Sequence, residues 1–164
     1  MKLIVSLEQK RFFNRYLLLE TEGVLSAVDC NALLDAIKSF FAKYKTVNDS
    51  DEDTVMNLNR AIPFITQLIA RRGLGLLIGD LLNKKNLWMV FSGFFRSPEE
   101  VNAYRPNYPF ECGLLIRLFP KKEQGNSFFF KEHMLNIPVD EPGVFLALMF
   151  THRLLNEDLH PRVL

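Results

Sequence analysis

The 164-residue sequence predicts an α+β fold, in which a mainly helical N-terminal half packs on a small antiparallel sheet with a closing C-terminal helix. Three observations support this prediction. Helical periodicity dominates the first half, two short apolar runs joined by a polar loop follow, and a further helical pattern ends the chain. Helices that precede a group of antiparallel strands are typical of the α+β class. At this length we expect a single globular domain, 1–164.

The apolar stretch 61–95 is the part of the chain around which the rest should pack. No other part is apolar for so long, so the flanking segments must cover it on nearly every side. Charged residues, among them Arg71, Arg72 and Asp80, interrupt the stretch before it reaches the roughly 18 residues that a membrane span needs. We therefore expect a soluble, cytoplasmic protein with no membrane span.

The first two predicted helices follow from their caps and their periodicity. Ser6 and Gln9 form an S-x-x-Q capping box, which predicts a helix that begins after Ser6. The run 16–19 fits either the end of this helix or a strand, because short apolar runs do not discriminate between the two. A clear amphipathic helix follows and ends at about Lys45.

Residues 53–72 predict a long helix, in which apolar residues recur three and four positions apart. Pro63 lies inside it, so the helix should kink there or consist of two shorter helices. Gly73 provides the stop, since glycine readily adopts the left-handed conformation that ends helices. A short buried helix is expected over 74–82.

The second half of the chain contains the predicted strands. Residues 87–95 are rich in aromatic side chains and predict a buried strand, with a helix as the alternative. Residues 97–100 read Ser-Pro-Glu-Glu and predict the start of a short helix. Residues 111–119 and 126–131 predict two strands of an antiparallel hairpin. The closing helix should begin at residues 140–142 and run to about Asp158.

The charge balance and the cysteines exclude several classes of protein. The formal net charge is +1 and no basic stripe is present, so we expect no nucleic acid as a partner. Cys30 and Cys112 lie far apart in the sequence and form no CxxC pair. A disulfide framework or a zinc ribbon is therefore not expected, and both thiols should be buried.

Two segments resemble known ligand-binding loops without matching them. Asp49, Asp51 and Asp53 have the spacing that begins an EF-hand calcium loop. Thr54 stands where that loop needs glycine, and Arg60 stands where it needs a bidentate glutamate. The acids are better explained as caps of the following helix. The glycines of 73–79 lack the spacing of a dinucleotide-binding loop.

The histidines do not predict a metal site. His152 and His160 should share one face of the closing helix, but about 12 Å apart, which is too far for one metal ion. His133 would have to approach them in space, and no H-x-H or H-x-x-x-H spacing is present. We therefore expect no metal and no cofactor.

Cys112 is a candidate catalytic nucleophile. A nearby imidazole, from His133 or His152, could make it a thiolate nucleophile. The adjacent Glu111 would instead raise its pKa, so a small buried thiol is the expected state.

The absence of a catalytic signature favours a non-enzymatic cytoplasmic interaction module, such as an adaptor, a chaperone or an immunity-type inhibitor. Its partner would be another protein or a second copy of the chain. Two alternatives are a small apolar-ligand-binding protein with a Phe-lined cavity and a cysteine-dependent enzyme that uses Cys112. Aromatic anchors and a basic rim would form the binding surface. The candidate binding residues are Trp88, Phe91, Phe94, Phe95, Arg71 and Arg72.

Overall fold

The computed structural model of the chain describes residues 4–44, 57–106, 109–132, 137–139 and 141–152. In these residues six helices lie beside one five-stranded antiparallel sheet, which confirms the predicted α+β class. The helices are α1 Leu7–Tyr16, α2 Ala27–Tyr44, α3 Leu58–Ala61, α4 Pro63–Arg71, α5 Leu74–Leu82 and α6 Pro98–Ala103. The strands are β1 Leu18–Thr21, β2 Trp88–Phe95, β3 Cys112–Phe119, β4 Ser127–Phe130 and β5 Val144–Thr151.

The first helix begins and ends as its sequence dictates. The Ser6 side chain accepts a hydrogen bond from the Gln9 backbone, and the Gln9 side chain accepts one from the Ser6 backbone, which completes the predicted capping box. Leu17 takes a left-handed conformation (φ 61°) and its N–H donates to the Phe13 carbonyl at 2.8 Å. The ambiguous run 16–19 therefore divides, with the helix ending at Tyr16 and β1 beginning at Leu18.

Proline and glycine divide the predicted long helix at the expected positions. Pro63 is the first residue of α4, and Ile62 before it leaves the helical conformation (φ −122°, ψ 85°). The result is two shorter helices, α3 and α4. Gly73 adopts φ 68° between α4 and α5, as a helix-ending glycine should. The resemblance to a calcium loop at 49–53 lies outside the described residues.

The strand order of the sheet is β1-β4-β3-β5-β2, and every neighbouring pair is antiparallel. The aromatic segment 87–95 forms a strand from its second residue onward, and this strand, β2 (Trp88–Phe95), lies at one edge of the sheet. β3 and β4 form the predicted hairpin.

The predicted closing helix is wrong, because residues 144–151 form strand β5 between β3 and β2. The spacing of Val144, Phe145, Leu148 and Met149 fits a helix, but the residues between them are equally apolar. Such a continuous run is also what a strand buried on both faces requires. Except for the half-buried Val144, every residue of β5 is buried, so both faces of the sheet are covered here.

Two separate cores cover the two faces of the sheet. We call the face that packs on α2, α4 and α5 the helix face, and the opposite one the aromatic face. Strand residues on the helix face include Met89, Phe94, Cys112, Leu114, Ile116, Phe129, Leu146, Leu148 and Phe150. Residues on the aromatic face include Phe91, Phe95, Leu115, Phe128, Phe130, Phe145, Ala147 and Met149.

Glycines on the aromatic face make room for phenylalanine rings. Gly113 pairs with Phe130 across β3 and β4, and a Cβ atom at Gly113 would lie 2.0 Å from Cζ of that ring. A Cβ atom at Gly93 would lie 2.4 Å from Cζ of Phe91. The rings therefore lie over backbone that carries no side chain, and this packing fills the aromatic face.

Candidate functional site

One polar row crosses the sheet at the end where β2 and β3 begin and β5 ends. Trp88 pairs with Thr151 across β2 and β5. On the other side of Thr151, the Glu111 N–H donates to the Phe150 carbonyl at 2.8 Å, which aligns Glu111 with Thr151. Successive strand residues alternate between the two faces of a sheet. Met89, Cys112 and Phe150 belong to the helix face, so their neighbours Trp88, Glu111 and Thr151 lie on the aromatic face.

Glu111 and His152 form a hydrogen-bonded pair in this row. Oε2 of Glu111 accepts from the His152 backbone N–H at 2.6 Å and from the Thr151 hydroxyl at 3.3 Å. It also contacts Nδ1 of the His152 ring. An ionised carboxylate can only accept, so the Nδ1 atom that contacts it carries a proton.

The surroundings of Glu111 keep it ionised. Burial alone would raise the pKa of the Glu111 carboxyl, but hydrogen bonds from the His152 backbone and ring, aided by Thr151, lower it below its usual value. A charged carboxylate that fixes the tautomer and orientation of an imidazole is an arrangement found in acid–base catalysis and behind metal-bound histidines.

The pair is accessible as well as ordered. The His152 side chain is 28% exposed and that of Glu111 is 27% exposed, so a molecule in solution can reach both. Trp88 beside them is half-buried. An accessible imidazole that a carboxylate orients has the geometry of a general acid or base.

The described residues do not provide a complete metal site. Non-haem iron(II) is commonly held by two histidines and one carboxylate. Glu111 and His152 supply one donor of each kind, and no group of three His, Cys, Asp or Glu side chains suited to a metal occurs in the part of the chain that the structure describes. His133 and His160 lie outside that part.

Cys112 is not a nucleophile in this structure. It begins β3 as predicted, but its residue surface is completely buried on the helix face. Burial strongly raises the pKa of the Cys112 thiol, and the nearby Glu111 raises it further, although Lys131 acts in the opposite direction. The Cys112-dependent enzyme is therefore excluded as an interpretation.

The predicted aromatic anchors do not form one surface. Phe91 and Phe95 are buried on the aromatic face, where the Tyr104 ring stacks on Phe91 at 5.1 Å and meets Phe95 edge-on at 5.4 Å. Phe94 is buried on the opposite face, with its ring centroid 6.0 Å from that of Phe41. Trp88 is the member of the set that solvent reaches most and that adjoins the polar row.

The two predicted basic residues have different environments. Arg72 makes two hydrogen bonds to the Asp29 carboxylate, at 2.8 and 3.0 Å, which tie the end of α4 to the start of α2. The hydrogen bond from Arg72, together with its charge, lowers the pKa of Asp29 despite the opposing effect of burial. Arg71 is exposed. Neither residue adjoins Trp88 in the sheet row.

Sequence reasoning missed the Glu111–His152 pair, because it placed His152 on a helix and considered Glu111 solely as a neighbour of Cys112. The two residues are 41 positions apart. The signal that could have found them is their position, since Glu111 begins a predicted strand and His152 follows an apolar run that also fits a strand.

Within the residues that the structure describes, no helix combines the length and the apolar character needed to cross a membrane. The expectation of no membrane span agrees with this finding.

Comparison with known proteins finds solved structures that share this α+β fold. No protein-family model and no curated protein matches the chain. The structure of CT296 from Chlamydia trachomatis at 1.8 Å resolution matches with a TM-score of 0.72 and 21% identity, over 93% of this chain and 99% of CT296. Its selenomethionine form, at 2.5 Å, gives a TM-score of 0.69.

A second protein, CytC3 with Fe(II) and α-ketoglutarate, matches with a TM-score of 0.64 and 11% identity. The match covers 92% of this chain and 79% of CytC3. At these identities the likenesses establish the fold and nothing more.

The comparison overturns the predicted function. The sequence predicts a non-enzymatic adaptor, chaperone or inhibitor because motifs are missing, but the chain shares its fold, over 92% of its length, with CytC3, whose structure holds Fe(II) and α-ketoglutarate. The prediction of a non-enzymatic module is therefore wrong. A prediction drawn from missing local motifs cannot detect side chains that come together from distant strands, as Glu111 and His152 do.

Proposed function

We propose that this protein is an enzyme that uses His152, held by Glu111, to move a proton to or from its substrate. The observation that carries the proposal is the accessible Glu111–His152 pair, in which one carboxylate oxygen fixes both the backbone and the ring of the histidine. The likeness of the fold to CytC3, whose structure holds Fe(II) and α-ketoglutarate, supports the same interpretation.

The proposed step follows from the tautomer. The neutral His152 ring takes a proton from the substrate on Nε2, while Nδ1–H remains bonded to Oε2 of Glu111. The carboxylate then stabilises the imidazolium that forms, as in other carboxylate–histidine pairs. A positioned general base of this kind contributes about 10²- to 10⁴-fold to the rate. In the reverse direction the same imidazolium acts as the acid.

The likeness to CytC3 raises the question of iron. The donors in the described residues do not complete an iron(II) site, so the proposed proton transfer involves no metal ion. Iron(II) and α-ketoglutarate are therefore included in the experiment as a separate condition.

The experiment is an unbiased search for turnover. The purified protein is incubated with a pool of cellular metabolites, with and without added iron(II) and α-ketoglutarate, and consumed and produced compounds are measured by mass spectrometry. His152→Asn and Glu111→Gln are the test variants, and Glu123→Gln, which changes an exposed carboxylate in a loop, is the matched control.

We expect at least one compound to be consumed by the wild-type protein and by Glu123→Gln, with its turnover reduced at least 100-fold in His152→Asn. Turnover that survives loss of His152 would contradict the assignment. Turnover confined to the iron condition would show that a metal, and not proton transfer alone, carries the chemistry.

Other expectations from the sequence stay predictions. They are the cytoplasmic location, the single domain over 1–164, and binding by the six residues Trp88, Phe91, Phe94, Phe95, Arg71 and Arg72.

A further inference from the structure

We propose that an open groove between α2 and the sheet binds a small organic carboxylate with an apolar body. The groove, here called the α2 groove, lies where β2 ends and β5 begins. It has a volume of about 450 Å³, within the roughly 300–1,000 Å³ of small-molecule sites. In the described part of the chain its lining residues are Lys38, Phe41, Ala42, Phe94, Arg96 and Val144.

The α2 groove is separate from the Glu111–His152 pair. Phe94 lines the groove from the helix face, whereas Glu111 lies on the aromatic face at the other end of the sheet. Trp88, in the row that contains Glu111, is six positions from Phe94 along β2, or roughly 20 Å. The inference therefore does not depend on the proposed function, and either can fail without the other.

The floor of the α2 groove is apolar. The ring centroids of Phe41 and Phe94 lie 6.0 Å apart, and the two rings are inclined by 37°. Phe94 is buried, while Phe41 and Val144 are half-buried and still meet water. A hydrocarbon group that covers these side chains would remove apolar surface from water, which is favourable. The floor therefore suits the apolar body of a ligand.

The rim of the α2 groove is cationic. The Arg96 guanidinium lies 5.4 Å from the centre of the Phe41 ring, so a cation–π contact holds it at the edge of the floor. Lys38 is exposed and precedes Phe41 by three positions in α2, which places both on one side of the helix. The Glu100 carboxylate accepts from the Arg96 backbone N–H at 2.7 Å, at the start of α6, and is not a lining residue.

The charge of the rim selects the head group of the ligand. The described lining residues include two cations and no acid, so the groove attracts an anion. The planar guanidinium of Arg96 matches the two oxygens of a carboxylate, and the Lys38 ammonium adds a second positive charge. An apolar floor with a cationic rim is complementary to a carboxylate that carries a hydrocarbon chain.

The experiment measures binding of hexanoate by isothermal titration calorimetry at pH 7 and one ionic strength. Hexanol and hexylammonium are the neutral and cationic controls, propanoate is the short-chain control, and hexyl phosphate tests a different anionic head group. Arg96→Gln and Lys38→Gln each remove one charge of the rim. Arg11→Gln and Lys85→Gln, at exposed positions outside the groove, are their matched controls. Far-ultraviolet circular dichroism checks that each variant is folded.

We expect saturable binding of hexanoate, with a Kd about fivefold higher in Arg96→Gln and in Lys38→Gln and unchanged in the two control variants. Propanoate should bind at least tenfold more weakly than hexanoate, because three fewer CH₂ groups contact the floor. Ala42→Trp fills the groove without changing its charge and should abolish binding. This variant and Lys38→Gln keep the test valid if Arg96→Gln does not fold.

Four results would overturn the inference: no saturable binding of hexanoate, equal binding of hexanol or hexylammonium, equal affinities for hexanoate and propanoate, or full binding in folded Ala42→Trp. Unchanged affinity in both folded rim variants would also overturn it, because the rim would then not select the ligand. Tighter binding of hexyl phosphate than of hexanoate would overturn the choice of a carboxylate as the head group.

Discussion

The two faces of the sheet are both buried, but different kinds of packing cover them. On the helix face, branched aliphatic side chains such as Leu114 and Leu148 interdigitate with those of α2, α4 and α5. On the aromatic face, phenylalanine rings lie over glycine positions such as Gly113. Packing on the helix face depends on large side chains that fill the space. Packing on the aromatic face depends on glycines, which leave room for the rings.

The aromatic face also has a polar group at each end, and the two ends differ. Arg117 at one end is buried; its guanidinium donates to the carbonyls of Pro142 at 3.0 Å and Gly125 at 3.4 Å, and lies 4.7 Å from the centre of the Phe145 ring. Glu111 and His152 at the other end remain more than a quarter exposed. A charge enclosed by protein groups suits structural support, whereas an accessible, oriented pair suits chemistry.

The largest effect should come from removing volume on the helix face. Leu114 is completely buried between Phe129 and Leu148 in the sheet. Replacing it with alanine leaves a cavity and should lower the free energy of unfolding by about 2–5 kcal/mol. Leu76→Ala, at a leucine that is 74% exposed, is the matched control and should change it by less than about 0.5 kcal/mol. Urea denaturation measures both, and similar losses in the two variants would contradict the described packing.

A smaller loss should follow from adding volume on the aromatic face. Gly113→Ala brings a Cβ atom into the Phe130 ring, and such overpacking should cost about 1–3 kcal/mol of unfolding free energy. If the ring is the cause, Phe130→Leu should relieve the clash. The double variant should then be more stable, by at least about 0.5 kcal/mol, than the sum of the single effects predicts. Strict additivity would show that the alanine is accommodated without the ring.

The smallest effects should come from the two carboxylates with lowered pKa values, Asp29 on the helical side and Glu111 on the aromatic side. The pKa of each carboxyl is lower in the folded than in the unfolded chain, so its ionisation stabilises the fold. This stabilisation is complete above the unfolded pKa and is lost as the pH falls through the folded pKa. Asp29→Asn and Glu111→Gln should each lower the melting temperature at pH 7 by about 2–4 °C.

The difference in melting temperature between each of these variants and the wild-type protein should shrink as the pH is lowered from 6 to 3. Calorimetry at several pH values measures it. A difference that stays constant with pH would show that shape, and not ionisation, accounts for the loss.

Local signals identified most of the elements. The Ser6 cap, Pro63 and Gly73 act through backbone geometry within a few residues, so their effects could be predicted without a tertiary structure. Residues 144–151 were predicted wrongly because a continuous apolar run contains no period that separates a buried strand from a buried helix. The candidate site was missed for a related reason, since its position depends on that strand.

The sequence by itself determined the α+β class, the breaks between helices, the β3–β4 hairpin and the burial of Cys112. The first three depend on residues that are close together in the chain, and the burial of Cys112 follows from the apolar character of its side chain. The tertiary structure alone decided that β5 lies between β2 and β3, and that Trp88, Thr151, Glu111 and His152 meet at one end of the sheet. Strand order and register bring together residues from distant parts of the chain, and no local pattern encodes that pairing.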